Sequence, residues 1–269
     1  MLYIATVHHG SPRWIEIQAR YLRQHISVPF QTWSSLQKID PSYAVHFDRV
    51  IDQAGSHADK LNRLAAEISQ EAEETDMIMF LDGDAFPIAD PMPLIEDGLA
   101  KAPLVAVRRA ENLGDRQPHP CFCVTTVGTW RELGGDWSEG YRWANPNGRS
   151  ITDVGGNLLQ ALELTDTPWV EVLRSNHRNL DPLLFGVYGD TIYHHGGGFR
   201  RGISRAHFGS RPKPIRVPRI PILRGAVRSV NGVRMFAWKL KYRAPQVLRS
   251  RRLFQRIQRG DPGWLAELR

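Results

Sequence analysis

The sequence predicts an α/β fold in which helices cover both faces of an open sheet. Short apolar segments typical of strands alternate along the chain with segments whose apolar residues recur at helical spacing. One apolar run, Met77 to Leu81, is continuous, as in strands that are buried on both faces. With 269 residues, the chain has room for one large α/β domain, or for a domain of about 200 residues with an appendage.

The N-terminal part of the chain predicts two strands, each followed by a helix. The segment LYIATVHH predicts a buried strand, and the helix after it is expected to have Ser11 as its cap and Pro12 at its first position. AVHFDRVID predicts the second strand. The next helix, in SHADKLNRLAAEISQEA, is expected to start after Ser56, with an apolar face made of Leu61, Leu64, Ala65 and Ile68.

The remaining elements follow the same alternation. DMIMFLDGDAFPI contains the buried strand, which ends in carboxylates and then proline. Cys121 and Cys123 alternate within a strand-like segment, and we interpret them as packing residues, since they are too few and too strand-like for a disulfide framework or a zinc site. Further strands are predicted in PLVAVRR, CFCVTTV, WVEVL and DTIYHH, and a further helix in GNLLQALEL.

Charge and proline content divide the chain into two parts. Residues 1–190 carry 16 Lys and Arg against 26 Asp and Glu, whereas residues 191–269 carry 19 against 2. Four prolines in RPKPIRVPRIP mark a boundary, so we assign 1–210 to a catalytic domain and 211–269 to a proline-rich linker and a basic amphipathic helical tail. No apolar run is long enough to span a bilayer and no secretory signal is visible, so we expect a cytoplasmic protein.

The carboxylates after the buried strand form the first candidate site. In parallel α/β sheets, ligands bind beyond the carboxyl ends of strands, where Asp82, Gly83 and Asp84 are expected. Two carboxylates separated by glycine can supply hard oxygen ligands to Mg²⁺ or Mn²⁺ and leave positions open for a diphosphate. A turn with two solvated aspartates is the alternative interpretation.

The segment YHHGGGFR supplies a second candidate element of that site. Its strand ends at His194, an imidazole that can join carboxylates around Mn²⁺. The glycines, including Gly197, allow a close backbone approach to phosphate oxygens, and Arg200 or Arg201 can neutralise the phosphate charge. The conjunction of this segment with the Asp82-Gly83-Asp84 motif is more informative than either alone.

These motifs resemble those of nucleotide-sugar glycosyltransferases of the GT-A fold over about residues 1–208. The spacing of His194, Gly197 and Arg200 is similar to the late H-x-x-G-x-x-K motif of the retaining type that includes glycogenin and lipooligosaccharide galactosyltransferases. TDVGGNLLQAL is similar to another segment of that family at Asp153 and Asn157. The resemblance implies a Rossmann-like, mixed and mainly parallel sheet, and a hexosyltransferase that depends on Mn²⁺ or Mg²⁺.

The resemblance also implies roles for individual residues. Asp82 would approach the ribose and the metal, and Asp84 and His194 would ligate the metal. Lys60 and Asn62 would lie near the nucleotide and the sugar. Gly197 and Arg200 would lie at the diphosphate, which Arg200 would contact through its side chain. Asp153 would contact the sugar or, in an inverting enzyme, act as the catalytic base, and its alternative interpretation is a helix N-cap.

The implied partners are a nucleotide-sugar donor, with UDP-sugars favoured, and a glycan or lipid-linked acceptor. The basic tail 211–269 interleaves apolar residues with Lys and Arg, which suits the anionic inner face of a membrane better than nucleic acid. Folding of the tail back onto the acidic body is a further interpretation.

Two other functional classes stay open on the sequence. A strand ending in D-x-D also resembles the first motif of haloacid-dehalogenase-type phosphatases, in which the first Asp would be a nucleophile. A non-enzymatic alternative is an anion-binding or nucleic-acid-binding protein that acts through its basic tail.

Overall fold

The computed structural model describes residues 1–112, 114–145, 148–178, 184–197, 215, 221–238 and 244–269. The strands within these residues are β1 (Leu2–His9), β2 (Phe30–Gln37), β3 (Arg49–Ile51), β4 (Met77–Asp82), β5 (Ala85–Pro87), β6 (Leu104–Val107), β7 (His119–Thr126), β8 (Trp143–Ala144), β9 (Ser150–Ile151), β10 (Val170–Val172), β11 (Leu184–Tyr188) and β12 (Ile192–Gly196).

The helices of the described residues include two 3₁₀ helices, Pro41–His46 and Pro262–Glu267. The α-helices are α1 (Ile15–His25), α2 (His57–Glu71), α3 (Met92–Leu99), α4 (Val127–Glu132), α5 (Gly156–Leu164), α6 (Pro221–Trp238) and α7 (Ala244–Gln258). None of the helices in the described part of the chain is both long enough and apolar enough to span a bilayer.

The central sheet has seven strands in the order β10-β6-β7-β4-β1-β2-β3. The pairs β1–β2, β1–β4, β2–β3 and β6–β10 are parallel, whereas β7 runs antiparallel between β4 and β6. A mixed, mainly parallel sheet is therefore confirmed. The apolar run of β4 lies at its centre, parallel to β1 and antiparallel to β7.

Alternate residues of β4 pack against helices on opposite faces of the sheet. Phe80 belongs to a buried cluster that includes Leu64 of α2, on one face. Met79 belongs to a second cluster, with Leu22 of α1 and Ile95 of α3, on the other. The prediction of helices on both faces is therefore confirmed. A strand covered on two sides needs apolar residues at every position, which explains the continuous apolar run of β4.

Two local predictions near the N-terminus differ from the structure. Helix α1 begins at Ile15 with Trp14 as its N-cap and no side-chain cap, whereas the Ser11 hydroxyl accepts a hydrogen bond from Arg13. The predicted second strand is confirmed only at Arg49–Ile51, where β3 lies. Its first three residues belong to the 3₁₀ helix Pro41–His46, and the longer strand β2 precedes it. Sequence FQTWSSLQ lacks an apolar alternation because β2 buries two serines, Ser34 and Ser35, in the sheet.

The end of the chain packs against the body of the protein. Leu253 and Ile257 of α7, together with Trp264, are buried in a third cluster with Trp14 and Phe86. The predicted helices of the C-terminal part are confirmed as α6 and α7. The division into domains 1–210 and 211–269 stays a proposal.

Candidate active site

The motif Asp82-Gly83-Asp84 forms the link between β4 and β5. A Cβ atom on Gly83 would lie 2.5 Å from the carbonyl oxygen of Val7 and 2.7 Å from Nδ1 of His8. Real Cβ atoms essentially never approach other atoms so closely, so the backbone of β1 leaves room for glycine alone between the two aspartates.

The strand β12 brings His194 to these carboxylates. It pairs antiparallel with β5, and His194 lies opposite Ala85. The imidazole Nε2 of His194 is 3.3 Å from Oδ1 of Asp84 and 3.5 Å from Oδ2 of Asp82. One donor atom from each of the three residues lies within 4.8 Å of the others, so the geometry brings together all three predicted metal ligands.

Helix α2 contributes His57, which the sequence analysis missed. Its Nε2 is 2.9 Å from Oδ1 of Asp82. Ser56 and Asp59 form a reciprocal capping box, which starts the helix at His57 and confirms the predicted cap at Ser56. The sequence offers one sign of this role. His57 begins a helix that follows the short strand β3, and the carboxyl ends of strands are where ligands bind.

His119, at the start of β7, is a further neighbour that the sequence analysis missed. Its Nδ1 accepts a hydrogen bond from the backbone N–H of Cys121, at 3.0 Å, and is 4.0 Å from Oδ2 of Asp82. Burial, together with the charge of Arg109, lowers the pKa of His119 well below its ordinary value. The ring is therefore neutral, with its proton on Nε2. Because β7 is antiparallel to β4, its first residue lies at the edge where β4 ends.

The carboxylates and His194 form a charged cluster. Burial alone would raise the pKa of Asp82, but the hydrogen bond from His57 and the positive charge of His194 hold it far below its usual range. Burial alone would lower the pKa of His194, but the Cys121 side chain and the Asp84 carboxylate raise it well above its ordinary value. Two carboxylates thus face one imidazole, and a divalent cation bound among them would displace the proton that the raised pKa places on His194.

A second charged cluster contains Asp153. Nη2 of Arg109 is 2.9 Å from Oδ2 of Asp115 and 3.1 Å from Oδ2 of Asp153. The Asp153 side chain is 42% exposed, so it is accessible to a ligand. Helix α5 has Gly155 as its N-cap, at φ +88°, so the alternative interpretation of Asp153 as the cap is wrong.

The other predicted site residues lie in different surroundings. Lys60 is buried and donates a hydrogen bond of 2.6 Å to Oε1 of Gln37, at the end of β2. Asn62 instead contacts the segment 136–138: its amide donates to Asp136 and its carbonyl oxygen accepts from the Trp137 N–H. Gly197, just after β12, is half-buried, and Arg200 lies outside the described residues.

The two cysteines are free and buried, as the interpretation of packing residues predicts. Cys123 lies in the cluster that contains Phe80. Cys121, on the opposite face of β7, adjoins His194, and burial raises the pKa of its thiol.

Comparisons with known proteins find only remote similarity to solved structures. No family model and no curated protein matches the chain. A structure of S. aureus TarS, residues 1–349, is 9% identical with a TM-score of 0.45, over 100% of this chain and 75% of that one. The mannosyltransferase PcManGT from Pyrobaculum calidifontis, in complex with GDP-Man and Mn²⁺, is 12% identical with a TM-score of 0.38, over 51% of this chain.

The galactosyltransferase LgtC, in complex with donor and acceptor sugar analogues, is 12% identical with a TM-score of 0.37. The match covers 60% of this chain and 70% of that one. The chain spans 47% of PcManGT and, in a further TarS structure, 30% of the TarS chain. At these identities and TM-scores, none of the similarities assigns a family or an activity to this chain.

Proposed function

We propose that this chain is a metal-dependent glycosyltransferase of the GT-A type, which moves a hexose from a nucleoside-diphosphate sugar to a glycan or lipid-linked acceptor. One observation carries the proposal: Asp82, Asp84 and His194 converge at the end of the central strand β4. Ligands of open α/β sheets bind at this edge.

The donor set fits a divalent cation. It combines carboxylate oxygens with one imidazole nitrogen, a mixture that suits Mn²⁺ better than the all-oxygen preference of Mg²⁺. The side chains of Asp82 and Asp84 keep 14% and 24% of their surface exposed, so a ligand can reach both from solvent. When bound, the cation would oppose the negative charge that develops on the departing nucleoside diphosphate.

The residues around the cluster are proposed to bind and orient the donor. His57 holds one Asp82 oxygen through a hydrogen bond, which leaves the other directed towards His194. We propose Lys60 and Asn62 as neighbours of the nucleotide and sugar, and Gly197 and Arg200 as contacts of the diphosphate.

Asp153 is proposed as the sugar contact or the catalytic base. Its accessible carboxylate supports either role, and Arg109 orients it. The spacing of His194, Gly197 and Arg200 supports the finer proposal of a retaining enzyme related to glycogenin and lipooligosaccharide galactosyltransferases. The anomeric configuration of the product distinguishes a retaining enzyme from an inverting one, in which Asp153 would be the catalytic base.

We propose further that the C-terminal part binds the anionic inner face of a membrane, and that α6 makes this contact. Large apolar side chains of α6 are exposed, whereas α7 buries Leu253 and Ile257 against the body. The chain has no acidic residue between Asp190 and Asp261, so only basic charges accompany the exposed apolar residues. Among the described side chains of α6, the exposed large apolar ones are Leu223, Val230, Val233 and Phe236.

A thermal-shift titration tests the catalytic proposal. The wild type, Asp84→Asn and the surface control Asp97→Asn are titrated with UDP, GDP and their common sugars, with and without Mn²⁺. A ligand at 100 times its Kd stabilises a protein by about 2.7 kcal/mol, which raises Tm by roughly 5–10 °C for a chain of this size. We expect this increase in wild type and Asp97→Asn only with Mn²⁺, and none in Asp84→Asn.

Two outcomes contradict the proposal. A folded wild type that no nucleotide stabilises has no donor site. Hydrolysis of p-nitrophenyl phosphate that Asp82→Asn abolishes, without nucleotide binding, supports the phosphatase alternative.

A further inference from the structure

The side chain of Gln18, on α1, contacts both ends of the turn that carries the two carboxylates. Its Nε2 donates hydrogen bonds of 2.8 Å to the carbonyl oxygens of Asp82 and of Ala85. The side chain is 1% exposed, so water does not compete for these contacts. Asp84, between the two, accepts a backbone hydrogen bond from His195 of β12 at 3.0 Å. The turn is thus held from α1 and from β12.

The other end of the Gln18 amide is also occupied. Its Oε1 lies 3.1 Å from Nε2 of His8 and 3.2 Å from Oγ1 of Thr6. Burial lowers the pKa of His8 to about 4, so the neutral ring donates through Nε2 to this oxygen. A flipped amide would set its oxygen against two carbonyl oxygens and its N–H groups against two donors. The orientation of Gln18 is therefore determined by all four partners.

We infer that Gln18 is a positioning residue, which fixes the backbone of the Asp82–Ala85 turn and thereby the separation of the Asp82 and Asp84 carboxylates. This inference rests on the proposed metal-dependent function. A turn of four residues has several accessible backbone conformations, and a cation site requires its donors to be held within about 0.5 Å. The strands on either side restrain only the two ends of the turn, because β4 ends at Asp82 and β5 begins at Ala85, so Gly83 and Asp84 lie outside both strands.

The variant Gln18→Met removes the four hydrogen bonds and keeps a side chain of similar length. Wild type, Gln18→Met and the control Leu22→Ala are titrated with Mn²⁺ alone, free Mn²⁺ is measured by electron paramagnetic resonance, and Tm is measured in parallel. Leu22 lies on the same helix and is buried among apolar residues of the core, so its truncation destabilises the protein and removes none of the four side-chain hydrogen bonds of Gln18.

We expect Gln18→Met to weaken Mn²⁺ binding by about tenfold or more, as supporting contacts of metal ligands commonly do. We expect Leu22→Ala to lower Tm and to keep the wild-type Kd. An unchanged Kd in folded Gln18→Met overturns the inference, and so does an equal loss of affinity in Leu22→Ala. A wild type that binds no Mn²⁺ overturns the proposed function as well.

A milder variant decides the case in which Gln18→Met does not fold. Thr6→Val keeps the shape of a buried residue in β1 and removes one of the two donors to Gln18 Oε1. We expect it to weaken Mn²⁺ binding about two- to fivefold, the effect of one lost hydrogen bond. An unchanged Kd overturns the inference.

Discussion

Three histidines near Asp82 occupy different environments, and each environment sets what the imidazole does. His57 is partly exposed and hydrogen-bonded to Asp82. His119 is buried and neutral, because its Nδ1 accepts a backbone N–H. His194 lies between the carboxylates of Asp82 and Asp84, which makes it the imidazole suited to share a cation with them. Residue type alone does not distinguish these roles.

A residue-scale prediction concerns His8 and acid stability. Burial lowers its pKa from 6.5 to about 4. Between these values the unfolded chain binds a proton that the folded protein excludes, so the free energy of unfolding decreases as the pH falls from about 6.5 to about 4. We expect His8 to account for about 3 kcal/mol of this decrease, measured by urea unfolding across the interval.

The matched variant is His8→Gln, whose amide nitrogen reaches towards Gln18 Oε1 and does not titrate. All other titratable groups are common to both proteins, so the difference between the two pH profiles isolates His8. We expect a shallower decrease in His8→Gln. An equal decrease in the two proteins would show that the imidazole is not buried neutral.

At the scale of elements, α6 and α7 have similar compositions and different environments. Both combine arginines with apolar residues at helical spacing. Helix α7 buries Leu253 and Ile257 against the core, and its Ser250 hydroxyl lies 2.8 Å from Nε2 of His195. Val233 and Phe236 of α6 remain 67% and 63% exposed. The two helices therefore differ in the surface left available for a partner.

The element-scale prediction is that α6 carries the proposed membrane contact. Vesicles with about one-third anionic lipid are floated with wild type, with Val233→Ser/Phe236→Ser, and with Leu248→Ser as an exposed control on α7. Each lost apolar side chain costs about 1.5–3 kcal/mol of burial when fully inserted, so we expect the double variant to bind at least tenfold more weakly. Leu248→Ser should float like wild type.

Equal flotation of the double variant and the wild type would assign the contact to another surface. No flotation of the wild type at low salt would remove membrane binding from the proposal. Charge alone is screened by salt, so flotation that persists at high salt identifies the apolar contribution.

At the scale of the whole molecule, the end of the chain stabilises the body that carries the candidate site. Trp264 is 2% exposed and donates a hydrogen bond of 2.9 Å to the Tyr21 hydroxyl of α1. Its ring also packs against Tyr193 of β12, next to His194. The basic C-terminal part thus includes residues that belong to the core of the protein.

The whole-molecule prediction follows from this packing. Trp264→Ala is expected to lower the free energy of unfolding by about 3–5 kcal/mol, as truncation of a buried aromatic side chain does. Leu248→Ala, at a position 65% exposed, should change it by less than about 0.5 kcal/mol. Chemical denaturation of both variants measures the difference. Similar values for both would mean that residues after α7 do not stabilise the body.

Local patterns accounted for most of the elements and part of the site. The continuous apolar run of β4, the cap at Ser56 and the helical spacing of α2 each depend on neighbouring residues, so the sequence alone predicted them. The strand β2 escaped prediction because its buried positions include Ser34 and Ser35, whose burial depends on the neighbouring elements.

By itself, the sequence determined the alternation of strands and helices, the carboxylates at the end of β4 and the separation of acidic from basic segments. Only the tertiary structure decided that His57, His119 and Gln18 meet the Asp82 turn, and that α7 packs on the core. The physical reason is that the apolar pattern of a segment reflects which of its own residues are buried, so it predicts local elements and not contacts between distant ones. The meeting of distant side chains instead depends on tertiary packing. The helices α1 and α2 bring Gln18 and His57 to the turn, and the antiparallel strands β7 and β12, which pair with strands distant in the chain, bring His119 and His194.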